Sequence, residues 1–89
     1  MRYQILLHPK AAEFVKKADP QLRTRIKSRL KELQDSPERK GERLKPTNFW
    51  RLKIGDYGAI YEVQVKDRRV IILFVGHRRK VYDDFSKLL

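Results

Sequence analysis

The chain has no cysteine in its 89 residues, which excludes a disulfide framework and any thiolate metal site and suits a reducing compartment. No apolar run approaches the roughly 18 residues that a membrane span needs, and the first residues lack a secretory core and cleavage site. A cytoplasmic protein with no membrane partner is therefore expected. Histidine occurs only twice, no carboxylates are paired, and no glycine-rich loop precedes a helix. Hydrolase, kinase and metalloenzyme templates all fail on these grounds, and neither a metal nor a cofactor is expected. Acidic residues are scarce as well: 11 Asp+Glu stand against 22 Lys+Arg, a formal net charge of +11. Such an excess repels itself in a small domain, and the acidic complement is too thin for balanced ion-pair networks. A polyanionic partner, nucleic acid first, is the expected explanation.

What is present is enough for one domain over residues 1–89. Residues 49–82 read as three consecutive strands. Phe49–Ile54 alternates, with Trp50, Leu52 and Ile54 on one face and Phe49, Arg51 and Lys53 on the other. Gly55-Asp56 is a turn. Residues 57–65 alternate again, Ala59, Tyr61, Val63 and Val65 against Gly58, Ile60, Glu62 and Gln64. After a reversal at 66–68, residues 70–75 form a β-branched and aromatic run suited to a strand covered on both faces. The three make an antiparallel meander.

Upstream, residues 2–8 read as a first strand with 5–7 as its buried part. Pro9 suits the first position of a short helix that carries Ala11, Ala12, Phe14, Val15 and Ala18. Asp19-Pro20 repeats the device as N-cap and N1 of a second helix, striped by Leu22, Ile26, Leu30 and Leu33 and stopped near Pro37. Arg23, Arg25, Lys27, Arg29 and Lys31 are its solvated face, which can also add RNA contacts. Residues 38–48 read as a surface loop anchored by Leu44. Val81, Tyr82, Phe85, Leu88 and Leu89 mark a short last helix. The order β-α-α-β-β-β(-α) predicts an α+β fold, a helical hairpin packed on one face of a mainly antiparallel sheet. The other face, carrying Arg51, Lys53, Gly58 and Glu62 with His77 and Arg78 at its rim, is expected to be open and functional.

Cationic side chains can act on RNA without a metal. Cleavage requires the 2′-hydroxyl deprotonated, charge on the scissile phosphate neutralised and the 5′-oxygen protonated; Lys, Arg, Tyr and His can supply these roles, and DNA lacks the 2′-hydroxyl.

The element order, with R-L-K-I-G-D-Y-G-A-I-Y-E-V at 51–63 and V-G-H-R-R-K-V-Y at 75–82, resembles the RelE/ParE superfamily of toxins from type II toxin–antitoxin pairs, along essentially the whole chain. A RelE-like member implies a ribosome-dependent mRNA endonuclease. The resemblance implies catalytic roles for Arg51, Lys53, Arg78, Tyr82 and His77, and RNA binding by Arg51, Lys53, Arg78, Arg79 and Lys80. It also implies a RelB-like cognate antitoxin, with the ribosome and mRNA as further partners and operator DNA contacted only through the antitoxin complex. Two departures stand out. The Arg78–Tyr82 spacing is shorter than in the best-studied RelE type. Gly58 replaces the arginine of the common D-Y-R motif, which implies a lost phosphate ligand and a weakened or inactive toxin; structurally, a glycine inside a strand also marks a bulge or a close backbone approach. A ParE-like member would instead inhibit DNA gyrase without nuclease chemistry, and a catalytically silent antitoxin-binding partner is the third alternative. His77 has an intrinsic pKa suited to proton transfer, but a lone histidine is also an ordinary surface residue. Tyr82 suits the core, proton transfer or base stacking, and Trp50 suits the core or an antitoxin contact.

Overall fold

Proline and aspartate set the N-terminal elements in the computed structural model, which describes residues 2–87. Strand β1 (Gln4–Leu7) gives way to helix α1 (Pro9–Lys17), with Pro9 in its first turn and His8 Nδ1 accepting from the Lys10 N–H. Asp19 caps helix α2 (Pro20–Lys31), accepting from the Leu22 N–H at 3.0 Å. The two helices are locked by Arg23, whose guanidinium donates to the carbonyls of Val15, Lys16 and Ala18 at 3.1, 2.9 and 2.8 Å. Those acceptors at the end of α1 would otherwise depend on water. The helix expected to stop near Pro37 ends at Lys31, and a 3-10 turn (Glu32–Gln34) carries the chain on to that proline.

Residues 38–48, expected to be an irregular loop, contain a helical turn α3 (Pro37–Lys40) and a two-residue strand β2 (Glu42–Arg43). Pro37 is buried, and its carbonyl accepts the hydroxyl of the fully buried Tyr61 at 2.7 Å. A β-carbon on Gly41 would strike that hydroxyl and come within 2.6 Å of the Arg51 carbonyl. The segment therefore owes its order to a buried phenol far along the chain, which local composition does not show.

Strands β3 (Phe49–Ile54), β4 (Tyr57–Gln64) and β5 (Arg69–His77) form the expected antiparallel meander. The sheet runs β1-β5-β4-β3-β2, with β1 parallel to β5. Helices α1 and α2 and the 3-10 turn cover one face, burying Val15, Ile26, Leu30 and Leu33 against Leu52, Ile54, Ala59, Tyr61 and Ile72. Trp50 stacks on Tyr61 at this face, at 6.4 Å between ring centroids.

The opposite face is not open. Helix α4 (Arg78–Ser86) lies across it, and Val81 and Phe85 bury Ile60 completely, with Phe49 and Phe74 edge-on to Phe85. Two apolar side chains four residues apart were enough to dock a helix that otherwise reads as polar. Two smaller expectations are also corrected. No residue of β1 is fully buried: Tyr3, just before it, is, whereas Ile5 is half-buried and Leu6 and Leu7 are each 37% exposed, because the strand lies at the sheet edge. Strand β4 ends at Gln64, and Val65 turns outward. Leu88 and Leu89, expected in the last helix, lie outside the described residues.

Candidate active site

Alternation on β3 points Arg51 and Lys53 to the α4 side of the sheet. Register then decides their neighbours. Glu42 on β2 pairs with Arg51, and Gly58 on β4 pairs with Lys53. The Arg51 guanidinium meets the Glu42 carboxylate through two hydrogen bonds, 2.9 and 3.3 Å long, and lies 5.2 Å from the centre of the Tyr82 ring. Arg29 reaches in from α2, held by Glu32 at 2.9 Å and donating to the Lys53 carbonyl at 3.0 Å. Arg78 enters from the first turn of α4, its N–H fixed on the Asp56 carbonyl at 3.0 Å.

Between these elements lies a cleft of about 510 Å³, walled by the cations Arg29, Lys40, Arg51, Lys53 and Arg78 together with Glu42 and Tyr82. Five positive side chains face one carboxylate across it. Among the described residues only three ion pairs form, Lys17–Glu13, Arg29–Glu32 and Arg51–Glu42. Most of the cationic surface is thus left without an internal partner. The start of α4 adds to the strain: Arg78, Arg79 and Lys80 fill its first turn, with no acid there and no side-chain cap. Cations at a helix N-terminus oppose the macrodipole by about 0.3–1 kcal/mol each, and an anion bound there would relieve that opposition.

Helix α4 lies over the paired glycines of β4 and β5, Tyr82 against Gly58 and Val81 against Gly76. A β-carbon on Gly58 would come within 2.9 Å of the Tyr82 hydroxyl, and one on Gly76 within 3.0 Å of Val81 Cγ2. The glycine at 58 therefore has a packing role that the motif comparison does not reveal: the phenol occupies the space a side chain would take. Burial holds the Tyr82 pKa above the usual phenol value, outweighing the opposing pull of Arg51 and Arg78.

The expected residues divide cleanly. Arg51, Lys53, Arg78 and Tyr82 line the one cleft. His77 does not, because β5 extends to this residue and pairs it with Tyr57; the two rings stack at 4.6 Å, and Tyr57 in turn packs on Phe14 of α1. Strand parity thus puts His77 on the α1 side of the sheet. Arg79 and Lys80 are exposed on α4 outside the cleft wall. Arg29, expected only as part of the solvated face of α2, also lines the cleft, as do Lys40 and Glu42, which sequence reasoning did not single out. The i,i+4 spacing of Arg25 and Arg29 was a legible signal for the first of them, whereas the other two lie in the segment read as loop.

Residues 5–82 match the family described as the ParE toxin of type II toxin–antitoxin system, parDE. The chain belongs to this family. It is a type II toxin of the RelE/ParE superfamily, with the α+β fold that its element order predicts. Among solved structures it is similar to the RelBE2 toxin–antitoxin complex of Mycobacterium tuberculosis, at 22% identity and a TM-score of 0.77, over 88% of this chain and 93% of that one. The RelB–RelE complex of Methanococcus jannaschii shares 28% identity at 0.68, over 90% and 98% of the two chains. The isolated E. coli RelE toxin shares 18% identity at 0.75, over 98% and 99%. No curated protein matches the chain in sequence.

Proposed function

We propose that this toxin is a ribosome-dependent mRNA endonuclease that cleaves RNA without a metal. The observation that carries the reading is the convergence of Arg51, Lys53, Arg78 and Tyr82, drawn from two strands and a helix, on one cationic cleft. The 2′-oxygen attacks the adjacent phosphorus and the P–O5′ bond breaks, leaving a 2′,3′-cyclic phosphate and a 5′-hydroxyl. Arg51 and Arg78 hold the non-bridging oxygens as negative charge builds on them. The proton of the 2′-hydroxyl leaves to water, and the Lys53 ammonium stabilises the oxyanion that forms. Tyr82, a phenol whose pKa burial raises further above the usual value, donates to the departing oxygen or stacks on a base. His77 has no part in this scheme.

An acidic, RelB-like antitoxin is the natural inhibitor: similar structures are toxin–antitoxin complexes, and the charge of +11 favours a partner of opposite sign. Operator DNA would be reached through that complex. Primer extension on an mRNA translated in vitro tests the reading. Discrete cuts are expected with ribosomes present and none in their absence.

A second reading, inhibition of DNA gyrase, is favoured by the ParE description of the matched family and by Gly58. A supercoiling assay separates it from the first. Inertness in both assays would leave a silent antitoxin-binding subunit.

A further inference from the structure

Helix α2 carries five cations and no acid between Pro20 and Lys31, and the structure sorts them by direction. Arg23 is consumed in capping α1. Lys27 and Lys31 flank an apolar groove beside Ile5 and Leu30. Arg25 and Arg29, one turn apart, point the other way, toward the β3–β4 turn. There a second concavity of about 370 Å³ is lined by Thr24, Arg25, Ser28, Arg29, Ile54 and Gly55. Gly55 has φ +60°, and a β-carbon on it would lie 2.5 Å from Arg25 Nη2, so the bare turn gives the guanidinium its room.

This groove and the cationic cleft share Arg29. We infer that the groove between α2 and the β3–β4 turn is a second RNA subsite, which takes the sugar–phosphate chain flanking the nucleotide held in the cleft. The inference rests on the cleft being an RNA site. An RNA chain engaged there must leave it, and the exit past Arg29 leads onto Arg25 and the Ser28 hydroxyl. Arg25 and Arg29 are spaced i,i+4, with β-carbons about 5–6 Å apart, so successive phosphates can each meet a guanidinium. The nearest acid on α2's continuation, Glu32, is already bound to Arg29, and no carboxylate lines the groove itself.

The test is binding of 2′-O-methyl oligouridylates of three and eight nucleotides, which cannot be cleaved, to the full chain. Arg25→Ala is expected to weaken the longer oligonucleotide about three- to fivefold, the scale of an exposed charge contact, and to lower its salt slope by about 0.7, the release from one phosphate of a single strand. The three-nucleotide probe should bind Arg25→Ala and wild type alike, while Arg51→Ala weakens both lengths. An Arg25→Ala effect that is absent, or equal at both lengths, overturns the subsite and leaves the cleft intact. Insensitivity of both lengths to Arg51→Ala overturns the cleft reading instead. Octaglutamate binding that depends on Arg25 when RNA binding does not would assign the groove to an acidic peptide and overturn the inference. Arg25 is exposed, and an unchanged circular dichroism spectrum checks that the variant is folded.

Discussion

Tyr82 and Gly58 form a packing pair across two elements, and their coupling is measurable. Gly58→Ala is expected to cost about 1 kcal/mol in urea denaturation, at the lower end of overpacking costs. The same change in a Tyr82→Ala background should cost clearly less, since the clashing phenol is gone; equal costs would show that the two do not touch. For the same reason Gly58→Arg cannot simply restore a motif, because Tyr82 has to move first. Glu42 is the second residue of interest, since it occupies the guanidinium that a phosphate would use. It is 69% exposed, so the pair is worth at most about 1 kcal/mol. Glu42→Gln should then tighten RNA binding by up to about fivefold, read by fluorescence anisotropy at low salt. Arg51 and Lys53 were legible in the sequence because a six-residue alternation fixes which way they point. Glu42 was not, because a two-residue strand has no period to read. His77 adjoins Arg78 yet lies outside the cleft, and only the extension of β5 reveals that the chain changes from strand to helix between them.

Among the elements, α4 carries the most consequence per residue. Its docking depends on Val81 and Phe85 over Ile60, while its first turn is electrostatically unfavourable. Phe85→Ala should release the helix without unfolding the main core: in hydrogen exchange, amides of α4 lose protection while those of β4 and β5 keep theirs. Loss of protection throughout would mean that the two clusters are a single cooperative unit. Helices α1 and α2 announce themselves through proline at the first turn and an aspartate cap, which are local signals. The placement of α4 over the sheet was illegible, since three cations lead its sequence and the apolar contacts lie on strands already assigned to an open face. Arg23 likewise reads as one more surface cation; its three carbonyl acceptors appear only when α1 and α2 are side by side.

At the scale of the whole molecule, a large cationic excess is carried with three internal ion pairs among the described residues. Burial raises the pKa of Tyr61, and likewise that of Tyr82. Groups whose folded pKa exceeds the unfolded value contribute stability that is intact below the unfolded value, about 10 for tyrosine, and lost as pH rises through the folded one. Above about pH 10 the wild-type urea midpoint should therefore fall relative to that of Tyr61→Phe, which shares the lysine titration; parallel profiles would contradict the burial of that phenol. Net charge was fully legible from composition, but its focusing into one cleft depends on register between β2, β3 and β4. The most direct test of that focusing is primer extension on ribosome-translated mRNA, comparing wild type with Arg51→Ala and Arg78→Ala. The cleft account predicts discrete cuts ending in a cyclic phosphate, reduced about a hundredfold or more in each variant, the scale of losing one donor to a developing oxyanion. Undiminished cutting by both variants, or no cutting by the wild type, would contradict it.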